Sequence, residues 1–173
     1  MISVIIPAYN EEENIGNTIK NISNILKENK IKHEIIVVDD HSTDKTASEI
    51  INLREKIKEI RYLMNKSQRG FGFAVTTGLN NFNGDYVIVS MADSSDDPKD
   101  IVRFYNKSLE GYDCVFGSRF IKDGKIIDYP IHKLILNRIV NNLIRMLFWT
   151  EYNDTTNAFK MYSKDTIEGL KPF

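Results

Sequence analysis

The sequence contains little cysteine, no long apolar run and almost no net charge. Cys114 is the single cysteine among 173 residues, which excludes an internal disulfide framework and a metal site built only from cysteines. No apolar run reaches the roughly 18 residues of a membrane span, so none is predicted. The formal net charge of -1 lacks the basic excess that is typical of nucleic-acid-binding proteins. We therefore expect a protein of a reducing, cytoplasmic compartment with no nucleic-acid partner.

The charge that is present lies unevenly along the chain. Acidic residues outnumber basic ones up to Ser118, whereas basic residues are in excess from Arg119 onward. A local positive excess of this kind suits a phosphate-bearing acceptor or an anionic membrane surface.

Composition and periodicity both favour a single α/β domain over residues 1–173. With 42% hydrophobic and 27% charged residues, the chain can bury one sizeable core. Short apolar runs alternate with helical patterns up to residue 117, which is typical of βα units that feed a largely parallel sheet. A further helix is expected after Asp97 and Pro98. The predicted strands are 2–6, 34–38, 60–64, 86–90 and 114–117.

Polar and acidic residues follow three of the predicted strands, in the runs 7–13, 39–46 and 91–98. Because ligands of an open α/β sheet bind outside the carboxyl ends of its strands, these residues are the first candidates for a functional site. Carboxylates from three strand ends are therefore expected along one edge of the sheet.

Asp39 and Asp40 directly follow the second predicted strand. Two adjacent acids in that place are costly unless something compensates them, and a carboxylate there can accept from a nucleobase N–H or a ribose hydroxyl. We interpret both as nucleotide-binding residues. Ser42, Thr43 and Asp44 are instead expected to cap the following helix, because such side chains satisfy the free amides of a helix start.

Asp93, Asp96 and Asp97 cluster after the fourth predicted strand. Oxygen-only ligands of this kind suit Mg²⁺ or Mn²⁺. A capped turn before the helix at Pro98 explains one acid, Asp96 or Asp97, but three are present. The cluster is therefore a candidate site for a divalent metal.

Five stretches, taken together and in order, resemble the family 2 glycosyltransferases of the GT-A fold, and within them the polyprenyl-phosphate (dolichol-phosphate) sugar transferases. They extend over nearly the whole chain, and their order along it makes the resemblance specific. The resemblance implies an α/β domain of GT-A type, with a mostly parallel nucleotide-binding sheet flanked by helices. The stretches are IIPAYNE (5–11), VVDDHSTD (37–44), RGFGFA (69–74), DSSDDP (93–98) and GSRF (117–120).

The resemblance implies a nucleotide-sugar donor, a UDP- or GDP-sugar, and assigns residues to its nucleotide side. Asp40 matches the carboxylate that holds the base, with Asp39 beside it. Arg69 and Gly70 match residues near the donor. The family's nucleotide-side loop is matched by Pro7, Ala8, Tyr9 and Glu11.

The resemblance also implies a divalent metal, Mg²⁺ or Mn²⁺, that stabilises the departing diphosphate. Asp93 matches the second aspartate of the family's DxD metal motif and is counted as catalytic, but Met91 takes the place of the first. Because such a cation keeps several waters, one carboxylate plus the substrate phosphates can suffice. Ser95 or Asp96 is expected to supply a second contact, directly or through water.

Arg119 lies in the GSRF stretch, where the resemblance implies a catalytic contact to the phosphate of the acceptor. A polyprenyl phosphate is already an anion, so it needs cationic positioning rather than a general base. Lys133 is a second candidate for this phosphate and Arg138 a third, although both can equally be solvated surface residues. Residues 154–160 resemble the family's late segment near the acceptor.

Residues 134–149 combine a basic polar stripe with a broad aliphatic and aromatic stripe, and end in Trp149. Such a helix can lie in a membrane interface or face the core of the protein, and both alternatives stay open. Members of the family often continue into C-terminal membrane helices, before which this chain can be truncated. We therefore expect peripheral contact with the cytoplasmic face of a membrane.

Two other functions remain as alternatives. A sugar nucleotidyltransferase also uses an α/β sheet, a nucleotide and Mg²⁺, but it is expected to begin with a glycine-rich loop and a basic residue, which residues 7–11 are not. A non-catalytic nucleotide-sugar-binding subunit is suggested by Met91. The chain lacks a Gln-x-x-Arg-Trp motif, which argues against a processive polysaccharide synthase.

Overall fold

Residues 1–121 and 130–172 are described in a computed structural model of the chain, and strands alternate with helices as the sequence predicts. The strands are β1 (Ile2–Ala8), β2 (His33–Asp39), β3 (Ile60–Met64), β4 (Tyr86–Val89), β5 (Cys114–Phe116) and β6 (Lys160–Ser163). The helices are α1 (Ile15–Glu28), α2 (Thr46–Lys56), α3 (Phe71–Leu79), α4 (Pro98–Ser108), α5 (Ile131–Phe148) and α6 (Lys164–Leu170).

The strands form one six-stranded sheet in the order β3-β2-β1-β4-β6-β5. β1 pairs in parallel with β2 on one side and with β4 on the other, and β2 pairs in parallel with β3. β6 runs antiparallel to β4. The predicted α/β fold with a mostly parallel sheet is therefore confirmed.

The five predicted strands all form; β3 has the predicted ends, and the other four differ from the prediction by one or two residues at an end. β1 continues past its predicted end at residue 6, through Pro7, to Ala8. Its pairing with β4 extends only from Ile2 to Ile5, whereas its pairing with β2 continues to Ala8. Pro7 therefore lies where β1 has one strand neighbour, and a residue without an N–H is tolerated there.

The prediction missed β6, which spans only four residues. Within it Met161 is fully buried and Lys160 and Tyr162 are half-buried, so the segment has no continuous apolar run. Its place in the sheet comes from pairing with β4, in which Ile88 opposes Met161. A short strand that depends on a partner far away in the chain leaves little local signal.

The sheet is covered on both faces by apolar contacts from helices. Ile2, Val4 and Ile6 of β1 belong to one buried cluster, which also contains the apolar stripes of α1 and α2. Ile5 points to the other face, where its cluster contains Ala74 of α3. Successive strand residues thus alternate between two cores, as buried parallel strands require.

The chain forms two compact units, Met1–Val115 with Phe159–Phe173, and Phe116–Ala158. The second unit contains α5. Only four α5 residues are less than exposed: Leu134, Asn137, Asn141 and Ile144. Asn141 is the buried one, and its amide Nδ2 donates to Thr156 Oγ1 at 2.9 Å.

The apolar side chains of α5 are largely exposed to solvent, which differs from a core-facing helix. Among the described residues, the seam that faces inward is polar at its centre, because Asn137 Oδ1 also accepts from Thr156 Oγ1 at 2.7 Å. Trp149, which follows the helix, is 94% exposed. Within the described residues, no helix is both long and apolar enough to cross a bilayer. Within α5, the apolar residues with the largest exposed fraction are Ile131, Leu136, Met146, Leu147 and Phe148.

Gly78 of α3 lets this helix approach the sheet closely, so we expect Gly78→Ala to destabilise the fold. A Cβ at this position would lie 2.5 Å from Ile5 Cγ2, in a core that cannot relax freely. The overpacking should lower the free energy of unfolding by about 1–3 kcal/mol, measured by urea denaturation. The matched control is Gly16→Ala in α1, where the nearest atom would be Leu53 Cδ1 at 3.8 Å. Equal stability of the two variants would contradict this packing.

Candidate active site

Because β2, β1 and β4 are parallel neighbours, the loops that follow them lie along one edge of the sheet. Each of these loops contains a non-glycine residue in the left-handed region: Asn10 (φ 54°), His41 (φ 66°) and Ser94 (φ 60°). Such residues are uncommon and are held by the contacts around them. The loops are therefore sharply turned at the place where the sequence predicts the site.

The loops after β1 and β2 are joined by reciprocal hydrogen bonds. The Thr43 amide donates to Asn10 Oδ1 at 2.8 Å, and the Asn10 amide donates to Ser42 Oγ at 3.1 Å. Asp44 Oδ2 accepts from the Glu12 amide at 3.2 Å. The two loops thus form one connected rim.

The predicted capping of α2 by Ser42, Thr43 and Asp44 needs correction. The N-cap of α2 is Lys45, which makes no side-chain capping bond. Only Asp44 acts at the helix start, where its Oδ1 accepts from the Thr46 amide at 2.9 Å. Ser42 and Thr43 instead bind the neighbouring loop, because residue 10 offers them partners that lie far away in the sequence.

Asp39 is buried and supports the loop that follows it. Its Oδ1 accepts from the Ser42 amide and its Oδ2 from the Tyr62 hydroxyl, both at 2.9 Å. Burial, together with the hydrogen bond and charge of Asp39, raises the pKa of Tyr62 to about 12. The Tyr62 proton is therefore firmly held, and Tyr62 acts as a permanent donor to Asp39.

Asp40 is also buried, and each of its carboxylate oxygens has a donor. Oδ1 accepts from Asn65 Nδ2 at 2.6 Å, and Oδ2 accepts from the Gly70 amide at 2.8 Å. The Asp40 amide donates to Ala8 O at 2.8 Å. These bonds compensate the burial of the charge and bring Ala8, Asp40 and Gly70 together, as the sequence predicts.

Asn65 is a residue of this site that the sequence reasoning missed. It follows β3 and is 1% exposed. Its amide nitrogen also donates to Gln68 O at 3.1 Å, and its Oδ1 accepts from the Ser67 amide at 3.0 Å. Asn65 thus holds the loop that leads to Gly70. The signal that the sequence offers for Asn65 is a polar residue directly after a strand.

Tyr9 and Arg69 meet above this network. Arg69 Nη1 donates to the Tyr9 hydroxyl at 2.8 Å, and its guanidinium carbon lies 4.7 Å from the centroid of the Tyr9 ring.

The two other predicted residues of the loop after β1 have backbone roles. Pro7 lies in the buried end of β1. Glu11 serves the start of α1, because its carbonyl accepts from the Ile15 amide at 2.9 Å.

The three acids after β4 have three different environments. Asp97 caps α4 by accepting from the Lys99 amide at 2.9 Å, which confirms the expected capped turn. Asp96 folds back on the strand end and accepts from the Met91 amide at 2.8 Å. Burial raises the pKa of Asp96, and this hydrogen bond opposes the rise. Asp93 is exposed, and its Oδ1 accepts from the Ser95 amide at 3.0 Å.

A divalent cation fits this loop only with Asp93 as its main protein ligand. Among residues 1–121 and 130–172, no three His, Cys, Asp or Glu side chains are placed to hold a metal together. Asp93 nevertheless offers an exposed carboxylate next to Ser95. Mg²⁺ and Mn²⁺ sites that take most of their ligands from water and phosphate need no more than one or two carboxylates.

Arg119, in the second unit, is paired with the buried Asp154. Its Nε donates to Asp154 Oδ2 at 2.8 Å, and its Nη2 donates to Asp154 Oδ1 at 2.6 Å. This bidentate geometry fixes the plane of the guanidinium.

The two other basic candidates belong to α5. Lys133 lies in the first turn of α5 with an exposed side chain. Arg138 stacks over Phe120, with its guanidinium carbon 4.6 Å from the ring centroid.

The sequence pattern described as Glycosyl transferase family 2 matches residues 3–170. The chain belongs to this family. The relationship covers the strand-end loops of the larger unit and the Arg119 segment alike, so the family resemblance of the five stretches is confirmed.

Two curated proteins that are similar to this chain are named as sugar transferases. The chain is 30% identical over 172 residues to a dolichol-phosphate mannosyltransferase of Pyrococcus furiosus, covering 98% of this chain and 48% of the relative. It is 33% identical over 170 residues to an uncharacterised glycosyltransferase of Synechocystis, covering 98% of this chain and 52% of the relative. The chain thus spans about half the length of these two relatives.

The solved structures of glucosyl-3-phosphoglycerate synthase from Mycobacterium tuberculosis share the fold. Its complex with UDP has a TM-score of 0.69 at 22% identity, covering 95% of this chain and 57% of that chain. Its complex with Mn²⁺, UDP-glucose and phosphoglyceric acid has a TM-score of 0.70 at 23% identity, with the same coverage. The GT-A type of fold expected for family 2 is therefore confirmed.

The contact between Asp40 and Asn65 should appear as a coupling free energy in a double-mutant cycle. Removing either partner leaves a buried polar group short of one hydrogen bond, at a cost of about 1–3 kcal/mol. We expect Asp40→Ala and Asn65→Ala together to cost at least about 0.5 kcal/mol less than the sum of the single variants, measured by urea unfolding. Asn21→Ala, on the exposed face of α1, is the control and should add to Asp40→Ala without coupling. Additive costs for Asp40 and Asn65 would contradict the contact.

Proposed function

We propose that residues 1–173 are the catalytic domain of a metal-dependent hexosyltransferase, which transfers a sugar from a UDP- or GDP-sugar to a polyprenyl phosphate at a membrane surface. One observation carries the donor half of this proposal. Asp40 and Asp93 lie at the same edge of the family 2 sheet. Asp40 is buried and hydrogen-bonded, whereas Asp93 is exposed.

The nucleoside of the donor would bind to the rim formed by the loops after β1, β2 and β3. A carboxylate oxygen has more than one acceptor site, so the Asp40 oxygens can still accept from a base N–H while bound to Asn65 and Gly70. Tyr9 presents a half-exposed ring beside Arg69, which gives a base or ribose an aromatic and cationic neighbour. The other proposed contacts come from Pro7, Ala8, Glu11 and Asp39.

The transfer itself forms a bond between a phosphate oxygen of the acceptor and the anomeric carbon of the sugar. The bond from that carbon to the diphosphate breaks, and the nucleoside diphosphate leaves with the electron pair. Asp93, with Ser95 next to it, would hold a divalent cation, which supplies charge stabilisation to the leaving diphosphate. The attacking phosphate oxygen of the acceptor already carries negative charge, so the step requires no proton transfer to Asp93.

A phosphate acceptor agrees with the chemistry of the second unit. Asp154 holds Arg119 in one orientation, so its guanidinium is preorganised to position an anion. Lys133 adds an exposed positive charge in the first turn of α5. The relative from Pyrococcus furiosus carries dolichol phosphate in its name, and this supports a lipid phosphate as the acceptor class.

The exposed apolar side chains of α5 support a membrane surface as the place of the reaction. The helix is amphipathic, basic at Arg138 and Arg145, and followed by the exposed Trp149. Apolar side chains of this kind insert into the boundary between headgroups and acyl chains, while basic residues favour anionic lipids. An open groove of about 730 Å³ at the end of α5 is lined by Asn142, Arg145, Met146, Trp149, Thr150 and Glu151.

A metal-supported donor site predicts a specific defect in Asp93→Asn. The amide keeps the size of the side chain but lacks the charge that holds a hard cation. We expect Mn²⁺ to strengthen UDP or GDP binding in the parent chain but no longer in the variant, measured by calorimetry with Mn²⁺ and with EDTA. Asp100→Asn, an acid of α4 paired with Arg103, is the matched control and should retain the Mn²⁺ effect. Mn²⁺-dependent affinity that survives in Asp93→Asn would remove the metal from Asp93.

The acceptor assignment predicts a loss of transfer without a loss of donor binding in Lys133→Ala. This exposed side chain can be removed without leaving a buried charge, whereas Arg119→Ala would strand Asp154. We expect about a tenfold lower kcat/KM for polyprenyl phosphate in anionic vesicles, with unchanged UDP and GDP affinity, and a partial loss in Arg119→Lys. Lys20→Ala, on the exposed face of α1, is the control.

Phosphoglyceric acid, a soluble phosphate compound that is present in one of the two mycobacterial complexes, gives the contrasting arm of this assay. Transfer to phosphoglyceric acid that exceeds transfer to the lipid would refute the lipid acceptor and leave the donor half standing. Lipid transfer at parental rate in both Lys133→Ala and Arg119→Lys would remove these residues from the acceptor site.

A further inference from the structure

Thr18 of α1 contacts both residues that flank Asp93. Its hydroxyl lies 2.7 Å from Ala92 O and 2.6 Å from Ser94 Oγ. Thr18 is 4% exposed, so its bond to Ala92 is buried, whereas its bond to the exposed Ser94 is partly buried. A single buried hydroxyl is thus attached to the loop immediately before and immediately after the exposed carboxylate.

The direction of these hydrogen bonds follows from the number of protons available. Thr18 has one hydroxyl proton, and its carbonyl neighbours, Ala92 O and Asn14 O at 3.2 Å, can only accept. The closer carbonyl is that of Ala92, so the Thr18 proton goes mainly to it. The Ser94 hydroxyl must then donate to Thr18, which is the arrangement that leaves no two lone pairs facing each other.

These bonds hold a part of the chain that has an uncommon backbone conformation. Ser94 adopts a positive φ of 60°, a region that serine enters rarely without support. Ser95 donates its amide to Asp93, and Met91 donates its amide to Asp96. With the two bonds to Thr18, each residue next to Asp93 is held, while the Asp93 side chain itself stays exposed.

Holding this loop matters more here than in a site with two acids. Met91 provides no carboxylate at the place of the first aspartate, and among the described residues no three His, Cys, Asp or Glu side chains are placed to hold a metal together. A cation at this loop would therefore depend strongly on the position of Asp93. A metal ligand binds more tightly when hydrogen bonds to residues that do not touch the metal already hold it in place, because less conformational freedom is lost when the metal binds.

We propose that Thr18 is a positioning residue for the metal-binding carboxylate Asp93, acting through Ala92 and Ser94. This inference rests on the proposed function, because it requires a cation at Asp93. Thr18 touches neither cation nor substrate, so its effect is on the metal dependence of nucleotide binding.

The test compares Thr18→Val, which keeps the shape but loses the hydroxyl, with Thr18→Ser, which keeps the hydroxyl. The measurement is the Mn²⁺ concentration that gives half of the Mn²⁺-induced gain in UDP and GDP affinity, with EDTA as the metal-free arm. We expect Thr18→Val to raise this concentration about tenfold or more, Thr18→Ser to stay near the parent, and all three to bind nucleotide equally in EDTA.

Two further variants keep the outcome interpretable. Ser94→Ala removes the donor to Thr18 from an exposed position and should shift the Mn²⁺ concentration in the same direction, even if Thr18→Val folds poorly. Ser23→Ala is the control, since it removes another buried hydroxyl of α1, one that has no hydrogen-bond partner among the described residues. It should leave the Mn²⁺ dependence unchanged.

The possible results separate this inference from the proposed function. A Mn²⁺ effect in the parent that is unaltered in both Thr18→Val and Ser94→Ala would overturn the role of Thr18 and leave the metal at Asp93. Equal losses with Mn²⁺ and with EDTA would also overturn it, because they would indicate general damage to the fold. No Mn²⁺ effect in the parent would overturn the metal assignment and the role of Thr18 with it.

Discussion

Parallel pairing of β1 with two neighbours is the constraint on which the rest of the larger unit depends. All seven residues of β1 are buried, and the strand is bonded to β2 on one side and to β4 on the other. Because the three strands are parallel, their carboxyl ends lie at the same edge of the sheet. Ala8 therefore lies opposite Asp39, and Ile5 opposite Val89, which fixes where the three loops begin.

The same edge contains two kinds of carboxylate with opposite requirements. Asp39 and Asp40 are buried, and each charge needs hydrogen-bond donors, which include Ser42 and Asn65 of the loops and Tyr62 of β3. These acids are therefore rigid parts of the rim before any ligand arrives. Asp93 is exposed to water, so its charge depends less on protein donors and its position depends on the backbone that carries it.

Local sequence signals were sufficient for the features that are themselves local. The five apolar strands, the helix start at Pro98 and the cap at Asp97 all follow from residues close together in the chain. The family and the loops that contain its motifs could be recognised because those motifs are contiguous.

The features that were missed depend on partners far away in the sequence. Thr18 meets the loop of Asp93 across 74 positions and has no pattern in its own neighbourhood. Asn65 meets Asp40 across 25 positions, and its place directly after β3 does not identify that partner. Ser42 and Thr43 carried a genuine capping signal, but Asn10 offered competing partners. For α5, periodicity revealed two stripes but not which of them faces inward.

The polar seam of α5 has a consequence for how this helix finds its rotational register. Hydrophobic burial alone favours turning apolar side chains inward. A rotation of the helix about its axis would, however, separate Asn137 and Asn141 from Thr156 and break the hydrogen bonds that join them. Two asparagines and one threonine thus select a single orientation during folding, much as a lone buried asparagine selects the register of a coiled coil. These polar bonds thus hold the helix in the orientation that leaves its apolar side chains exposed.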